Sequence, residues 1–543
     1  MSSEPLPSSS EPSSEPESEP EPSSEPSSEE SVKDSSLPTT SAEESSSEIE
    51  ESSEDQTSEE PSSDILSSEE SSPAPSSSQE PVDGTYHFYC VNDFHGSVLE
   101  RDSTYYEPGI AKYFGKLREF KNEDPDHTFI FSAGDMFQGS LESNYYNGAL
   151  VLDAMNDLPF DAMAVGNHEF DYGPEVLLGN VGRANFPVLA GNVMTFENGA
   201  PTDKPWNDDI GISTIIERGG NKIGVIGMIG SGQTTSISSQ YVQDVDFVDP
   251  EELAKAESEK LKEAGCSIII LLLHDTYKNA YFAADKNYFD GVFTGHTHQK
   301  EDRSINGVPF VQSYCNGEAI SHFELRIASG KVTCVGRNVI SASPSWTEDA
   351  EIAAIRDAYL DDDFKAMAER PAGTVSGTLT AKIGVPNLAC KATFDMLHPF
   401  EPDVILSMCN SQRAALTGTI TYSDIYKATP FTNLTIIARV SGADILNEAR
   451  WNNYYVGDPE TYATLAEDEF YTIACTDYVL SHQNTDKSYD YFPSLNPGGG
   501  GEILKTYLTI PADFFFEYCT DYLGGVINAY DFLNTSPGFH IYS

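Results

Sequence analysis

Basic residues are scarce in this chain. Across 543 residues, 31 Lys and Arg face 87 Asp and Glu, a net charge of −56. Such a deficit excludes nucleic acid as a partner, because phosphate backbones need clustered cations. It also disfavours docking on an anionic membrane surface. An anionic substrate would need local cations, from protein or metal, to overcome the global field. Long apolar runs are lacking too: no stretch of about 20 apolar residues is present to span a bilayer. The N-terminus has no basic region leading into an apolar one, so no signal peptide is visible. The eight cysteines (Cys90, Cys266, Cys315, Cys334, Cys390, Cys409, Cys475 and Cys519) form no CxxC pair and no zinc-ribbon spacing. At this chain length a disulfide framework is not expected, and buried free thiols are.

What is abundant is Ser, Glu and Pro, at one end. Residues 1–80 hold 23 acidic residues and one Lys, about −22 of the total charge. That segment has too little apolar surface to offset the entropy of ordering. Residues 1–81 therefore read as a disordered, self-repelling tether, with a specific acidic interaction tail as the alternative. The composition suits the stalk that follows an export signal or lipid anchor, which points to an extracellular or cell-surface location. The remaining chain, still about −34, is too long for one ordinary core.

From Tyr86 onward, short apolar runs alternate with helix-like segments. "YHFYCV" (86–91), "TFIFSA" (128–133), "DAMAV" (161–165), "PVLAGNV", "KIGVIGMIG", "SIIILLL" (267–273), "GVFTG" (291–295) and "VPFVQS" read as buried strands. Residues 109–121, 149–158 and 250–264 show helical spacing. This alternation predicts a layered α/β fold. Residues 346–369 read as one long helix ending before Pro371. The division expected is 82–345 as one domain, 346–370 as a connecting helix and 371–543 as a second, smaller α+β domain.

Five apolar runs each end in metal-binding residue types. "YCVNDFHG" supplies Asp93 and His95, "FIFSAGDMFQG" supplies Asp135, and "MAVGNHEFD" supplies Asn167, His168, Glu169 and Asp171. "IIILLLHD" supplies His274, and "VFTGHTH" supplies His296 and His298. Singly, each is an ordinary cap or loop residue; five in register are not. Ligand sites of open α/β sheets lie outside the carboxyl ends of the strands, so residues spread over roughly 200 positions can converge there. Asp93/His95 and His296/His298 are i, i+2 pairs, which on an extended segment point to the same side. Gly134, Gly166 and Gly295 each precede a proposed ligand and permit close backbone approach. Imidazole plus carboxylate without thiolate suits Zn, Mn, Fe or similar divalent ions. Seven ligands are too many for one ion with an open position, and fit two ions sharing a carboxylate, an arrangement suited to phosphoryl hydrolysis.

"NDFHG", "AGDMFQGS", "VGNHEFDYG", "LLLHD" and "GHTH" resemble the five blocks of calcineurin-like metallophosphoesterases, and "GDMFQGS" with "NHEFDYG" is closer still to the 5′-nucleotidase family. The match covers about 86–300, with a weaker one over 385–495. The resemblance implies an α/β (α+β sandwich) fold: an N-terminal four-layer metallophosphoesterase domain and a smaller α+β nucleotidase domain. It implies two divalent metal ions (Zn, Mn, Co or Fe). One site would use Asp93, His95, Asp135 and His298, the other Asp135, Asn167, His274 and His296, with Asp135 bridging. His168 would face the phosphate, oriented by Asp171. Glu169 stays open between a supporting role behind the ligands and a helix cap.

In the same family a C-terminal domain clamps the nucleoside. Here "NSQRAALTGTITYSDIYKATPFTN" (410–433) supplies Asn410, Arg413, Phe431 and Asn433. By the resemblance Arg413 would contact phosphate, Phe431 would stack on a base, and Phe492 would be the second aromatic of the clamp, with Tyr489 and Tyr491 competing. The chain departs from the pattern: Ser411 and Gln412 replace glycines before Arg413, "SYDYF" (488–492) stands for a Gly-rich "GGDGF", and no clear basic residue lies upstream. Base recognition is therefore relaxed or changed. Rotation of the domains about the 346–369 helix is expected from the family. The reading is a 5′-nucleotidase-like hydrolase acting on a small nucleotide. The alternatives are a sibling (2′,3′-cyclic nucleotide phosphodiesterase, nucleotide-sugar hydrolase or thiosulfohydrolase) or a catalytically idle surface binder.

Overall fold

The structure is a computed structural model and describes residues 80–102, 105–409, 412–431, 433–483, 488–507, 511–536 and 538–539. The expected tether, 1–81, lies almost wholly outside them.

Two six-stranded sheets dominate the N-terminal half. The first runs Lys331–Ser341, Ala319–Ala328, Gly84–Val91, Thr128–Ser132, Ala162–Ala164, Val188–Leu189; the second runs Glu301–Ile305, Val308–Gln312, Gly291–Thr294, Ile268–His274, Asn221–Ile229, Ser213–Arg218. The central strands of both are parallel. Side chains alternate along each strand, so both faces of a buried strand must be apolar. Tyr86, Phe88 and Cys90 point inward to meet Ile268, Ile270 and Leu272 of the second sheet in a shared core. Tyr89 and Val91 point the other way, towards Tyr113 and Leu117 of helix Gly109–Glu123. On the far side Ile269, Leu271 and Leu273 meet Ala254 and Leu261 of helix Pro250–Glu263. The layers are thus helix, sheet, sheet, helix: the expected mixed α/β sandwich.

The C-terminal part has its own five-stranded sheet (Asn453–Val456, Val404–Cys409, Phe470–Thr476, Thr435–Ser441, Glu502–Tyr507) and a three-stranded one. Helix Gly384–Leu397 sends Leu397 and Phe394 towards Val404 and Ala474 of the larger sheet. Between the two halves the single helix expected over 346–369 is instead two, Ala350–Tyr359 and Asp362–Ala368. The break has a local cause. Asp361 takes extended backbone and its carboxylate accepts from Phe364 N at 2.8 Å, so it caps a new helix rather than continuing the old one. Among the described residues no disulfide is present, and no helix is long and apolar enough to cross a membrane.

Candidate metal centre

The residues that follow five strands meet at one edge of the sandwich. His95 Nε2 lies 2.9 Å from His298 Nε2, and His298 Nε2 lies 3.6 Å from Asp93 Oδ1. His274 Nε2 is 3.1 Å from Asp135 Oδ2 and 3.1 Å from Asn167 Oδ1. His296 Nδ1 is 3.0 Å from that same Asn167 oxygen. Two groups of potential ligand atoms result, Asp93/His95/His298 and Asp135/His274/His296; a third, His95/Asp135/His168, overlaps both and brings His168 alongside. All seven sequence-predicted metal ligands therefore come together.

They do so by a geometry the spacing did not show. Asp93, His95, Asp135, His296 and His298 all have positive φ, between 50° and 74°. The i, i+2 pairs are not extended. They sit in tight left-handed turns just past the strand ends, and those turns swing both side chains into the site. Non-glycine residues held there are uncommon and strained, and such residues cluster at functional sites. Backbone bonds hold the turns: Asp93 N donates to Gly134 O and His95 N to Asp135 O, both at 3.0 Å. At Gly166 an added methyl group would collide with Asp135 Oδ1. That glycine is needed for the close approach.

The donor set fits divalent cations. His95 Nδ1 is 2.9 Å from Gln138 O and His274 Nδ1 is 2.8 Å from Ala133 O. A carbonyl only accepts, so in both rings Nδ1 carries the proton and Nε2 offers a lone pair. Those lone pairs then face other acceptors, and Asp135 Oδ2 is buried without a hydrogen-bond partner. Acceptors converging without donors is what ligands of a shared cation look like. The protein's own charges partly offset this crowding. Burial pushes the Asp93 carboxyl up to about 7. Burial and then the neighbouring His168 hold the His95 imidazole well below its usual range. Burial opposes charge on His274 as well, but with no cation bound Asp135 outweighs it and lifts that imidazole to about 10, so a metal would take the place of its Nε2 proton.

His168 and Asp171 form the expected pair: Nδ1 to Oδ2 is 2.7 Å, with both side chains buried. Against the cost of burial, the Asp171 and Asp135 carboxylates raise the His168 imidazole to about 9. Its ring stands edge-on to His95, centroids 5.0 Å apart. The open question of Glu169 closes on both readings at once. One oxygen accepts from Gly166 N and Asp135 N, the other from Met136 N, at 2.7 to 2.8 Å. The side chain caps the short helix Asn167–Phe170 and ties the Asp135 loop to the Asn167 loop. Asn92 was not foreseen. Its Nδ2 donates to Asp93 Oδ2 at 2.6 Å and to the carbonyl of Tyr314 at 2.9 Å, anchoring that carboxylate.

The nucleoside-clamp residues divide. Arg413 is exposed, and its positive charge is among those that depress His95, His296 and His298. Its guanidinium lies 5.3 Å from the centre of the Phe431 ring. Phe431 and Asn433 border a small cavity with Gln412 and Thr476. Asn433 Nδ2 also donates to Asp477 Oδ1 at 2.9 Å. Asn410 lies outside the described residues. Phe492 is a correction: it is 0 % exposed and packed in the core of the five-stranded sheet with Val479 and Leu480, so its ring offers no face to a base. Tyr491, beside it, stacks on His482 at 4.0 Å. Gln138 Nε2 and Asn144 Nδ2 each donate to Pro430 O at 3.2 Å, tying the "GDMFQGS" loop to the segment that carries Phe431.

Residues 86–300 match the calcineurin-like phosphoesterase family. The chain carries a calcineurin-like phosphoesterase domain. The chain is 30% identical over 292 residues to a 5′-nucleotidase of Diplobatis ommata, covering 49% of this chain and 50% of the relative. It is 26% identical over 380 residues to a 5′-nucleotidase of Mus musculus, covering 62% and 65%. The chain thus spans about half to two thirds of these curated relatives. Among solved structures, the 5′-nucleotidase precursor of Thermus thermophilus superposes with a TM-score of 0.69 at 19% identity, over 82% of this chain and 99% of that one. That likeness extends the shared fold of the phosphoesterase domain to the C-terminal part.

Proposed function

We propose that this protein is a metal-dependent phosphohydrolase that releases phosphate from nucleoside 5′-phosphates. The observation that carries the reading is the convergence of His95, Asp135 and His168 between two other ligand clusters. Asp93, His95, Asp135 and His298 would hold one divalent cation, and Asp135, Asn167, His274 and His296 a second, with Zn, Mn, Co and Fe all suited to these donors. Bound there, such a pair supplies Lewis-acid polarisation of a phosphoryl oxygen and activation of water.

The chain's own groups do the rest. His168, fixed through Nδ1 by Asp171, would present its other nitrogen to the reacting phosphate. It stabilises charge there or donates a proton to the departing ribose oxygen. Arg413 orients the phosphate by a charge-assisted fork. Phe431 bounds the nucleoside side. In this reading 82–345 is the catalytic domain, 371–543 the substrate-binding domain and 346–370 the connector. Segment 1–81 is then a spacer that suits an extracellular or surface location.

Hydrolysis of AMP, ADP, UDP-glucose and a 2′,3′-cyclic nucleotide, with the products separated and counted, tests the reading, with wild type beside His168→Ala and Asp135→Asn. Turnover of AMP well above the others, lost in both variants, supports it. Equal turnover by all three proteins refutes it.

A further inference from the structure

A second cluster of metal-binding side chains lies within the first sheet, apart from the strand ends that carry the Asp135 cluster. Strands Gly84–Val91 and Ala319–Ala328 pair antiparallel, with His87 opposite Glu324 and Tyr89 opposite His322. On its other side His322 sits opposite Asn338 of strand Lys331–Ser341. His87, His322 and Glu324 therefore share one face. They offer three ligand atoms within 4.8 Å of one another, and His87 Nδ1 is 3.8 Å from Glu324 Oε1.

The state of His322 makes this more than proximity. Its Nδ1 is 2.9 Å from Asn338 Oδ1. An amide oxygen only accepts, so Nδ1 carries the proton and Nε2 is left as a lone pair. The side chain is 6 % exposed, stacked on Tyr89 at 4.3 Å, and Nε2 is buried with no hydrogen-bond partner. Burial keeps the ring neutral, against the bond to Asn338. A buried acceptor without a donor carries a desolvation cost that a ligand would remove. An imidazole whose far nitrogen is held by an amide or carboxylate is how metal-binding histidines are oriented. The His87 and Glu324 side chains are 30% and 34% exposed, so an ion can enter from solvent and both can close on it.

We propose that His87, His322 and Glu324 bind a divalent transition-metal ion, Zn²⁺ or one of like preference such as Ni²⁺ or Cu²⁺, at a site separate from the Asp135 cluster, with Asn338 positioning His322. Two imidazoles and one carboxylate, with water in the fourth place, are a zinc donor set and a poor one for Mg²⁺ or Ca²⁺. Zinc bonds of about 2.0–2.2 Å require the ligand atoms to draw together by about an ångström, within reach of the two half-exposed side chains.

The test is metal stoichiometry. Full-length protein is dialysed to equilibrium against micromolar free Zn²⁺, and bound metal is counted by elemental analysis for wild type, His87→Ala and Glu324→Gln. Each change is also made in an Asp135→Asn background. The expected result is one fewer zinc per chain in either variant, with the same drop in the Asp135→Asn background. Cu²⁺ bound to Asp135→Asn protein should show nitrogen couplings in its electron paramagnetic resonance that weaken in His87→Ala. An unchanged zinc count in both His87→Ala and Glu324→Gln overturns the proposal. His322→Ala, at a buried position, can fail to fold, so the test rests on the two half-exposed residues.

Discussion

His168 Nδ1 lies 2.7 Å from Asp171 Oδ2, and neither side chain reaches solvent. The two residues are one helical turn apart, so a single local segment fixes both the tautomer and the charge of the ring. In Asp171→Asn the amide can still hold the ring but no longer favours its cation. We expect kcat to fall by about 10–100-fold with bound metal unchanged. His168→Ala removes the group itself and should cost about 10²–10⁴-fold in kcat. Elemental analysis beside steady-state kinetics checks both. Loss of metal in Asp171→Asn would make the pair structural.

Asp135 links the two ligand groups, and one of its oxygens has no hydrogen-bond partner. A chelator should therefore abolish phosphate release, and Mn²⁺ or Co²⁺ should restore it. The same ions should raise the melting temperature of wild type by a few degrees, because they bind only the folded chain. Asp135→Asn should show neither effect while keeping a native far-ultraviolet circular dichroism spectrum. Metal-independent melting of the wild type would contradict the assignment.

Gly166 is where space is scarcest. Its backbone is extended, so alanine fits the conformation; what fails is room, since the added methyl meets Asp135 Oδ1. Gly166→Ala should displace that carboxylate and lower metal affinity and kcat together, with a smaller loss of stability. Gly182, whose added methyl would meet nothing within 4 Å, serves as the control. Calorimetric titration with Mn²⁺ alongside thermal unfolding separates the two effects.

Much of the fold was legible because its central strands are buried on both faces. "SIIILLL" and "YHFYCV" leave no alternative to buried elements, and each polar block directly follows such a run. That the residues of the candidate metal centre would meet was legible for the same reason. What stayed hidden depends on tertiary contacts. Nothing local marks Asn92 as the anchor of Asp93, or shows that Glu169 ties two loops together. The left-handed turns at Asp93 and His296 defeat an argument from extended spacing. Asp361, an acid among acids, gave no sign that its carboxylate would start a new helix. Phe492 sits where a family pattern suggests a clamp, yet its ring packs into the core of the five-stranded sheet.

Arg413 is exposed, lies over Phe431, and its charge acts on the His95, His296 and His298 imidazoles of the candidate metal centre. Its proposed task is to hold the phosphate, so Arg413→Ala should raise KM for AMP by about 10–100-fold, the worth of one or two charge-assisted bonds. Lysine lacks the planar fork, so Arg413→Lys should recover only part of the loss. Inhibition by inorganic phosphate should weaken in parallel. An unchanged KM in Arg413→Ala would remove this residue from the substrate site.

Asp290 provides a pH-dependent test that leaves the candidate metal ligands alone. Burial raises its carboxyl from 3.8 to about 6, against the bond it accepts from Ile269 N at 2.9 Å. The folded state thus holds the proton more tightly than the unfolded chain. The resulting stabilisation is fully present below pH 3.8 and is lost as pH rises through about 6. An asparagine side chain in its place would stay neutral at every pH and could still accept from Ile269. Asp290→Asn should therefore match wild type near pH 4 and be the more stable protein at pH 7.5, by no more than about 3 kcal/mol. Urea unfolding at the two pH values measures the difference. A variant that is less stable at pH 7.5 than at pH 4, each relative to wild type, would show that Asp290 is held as a charged partner instead.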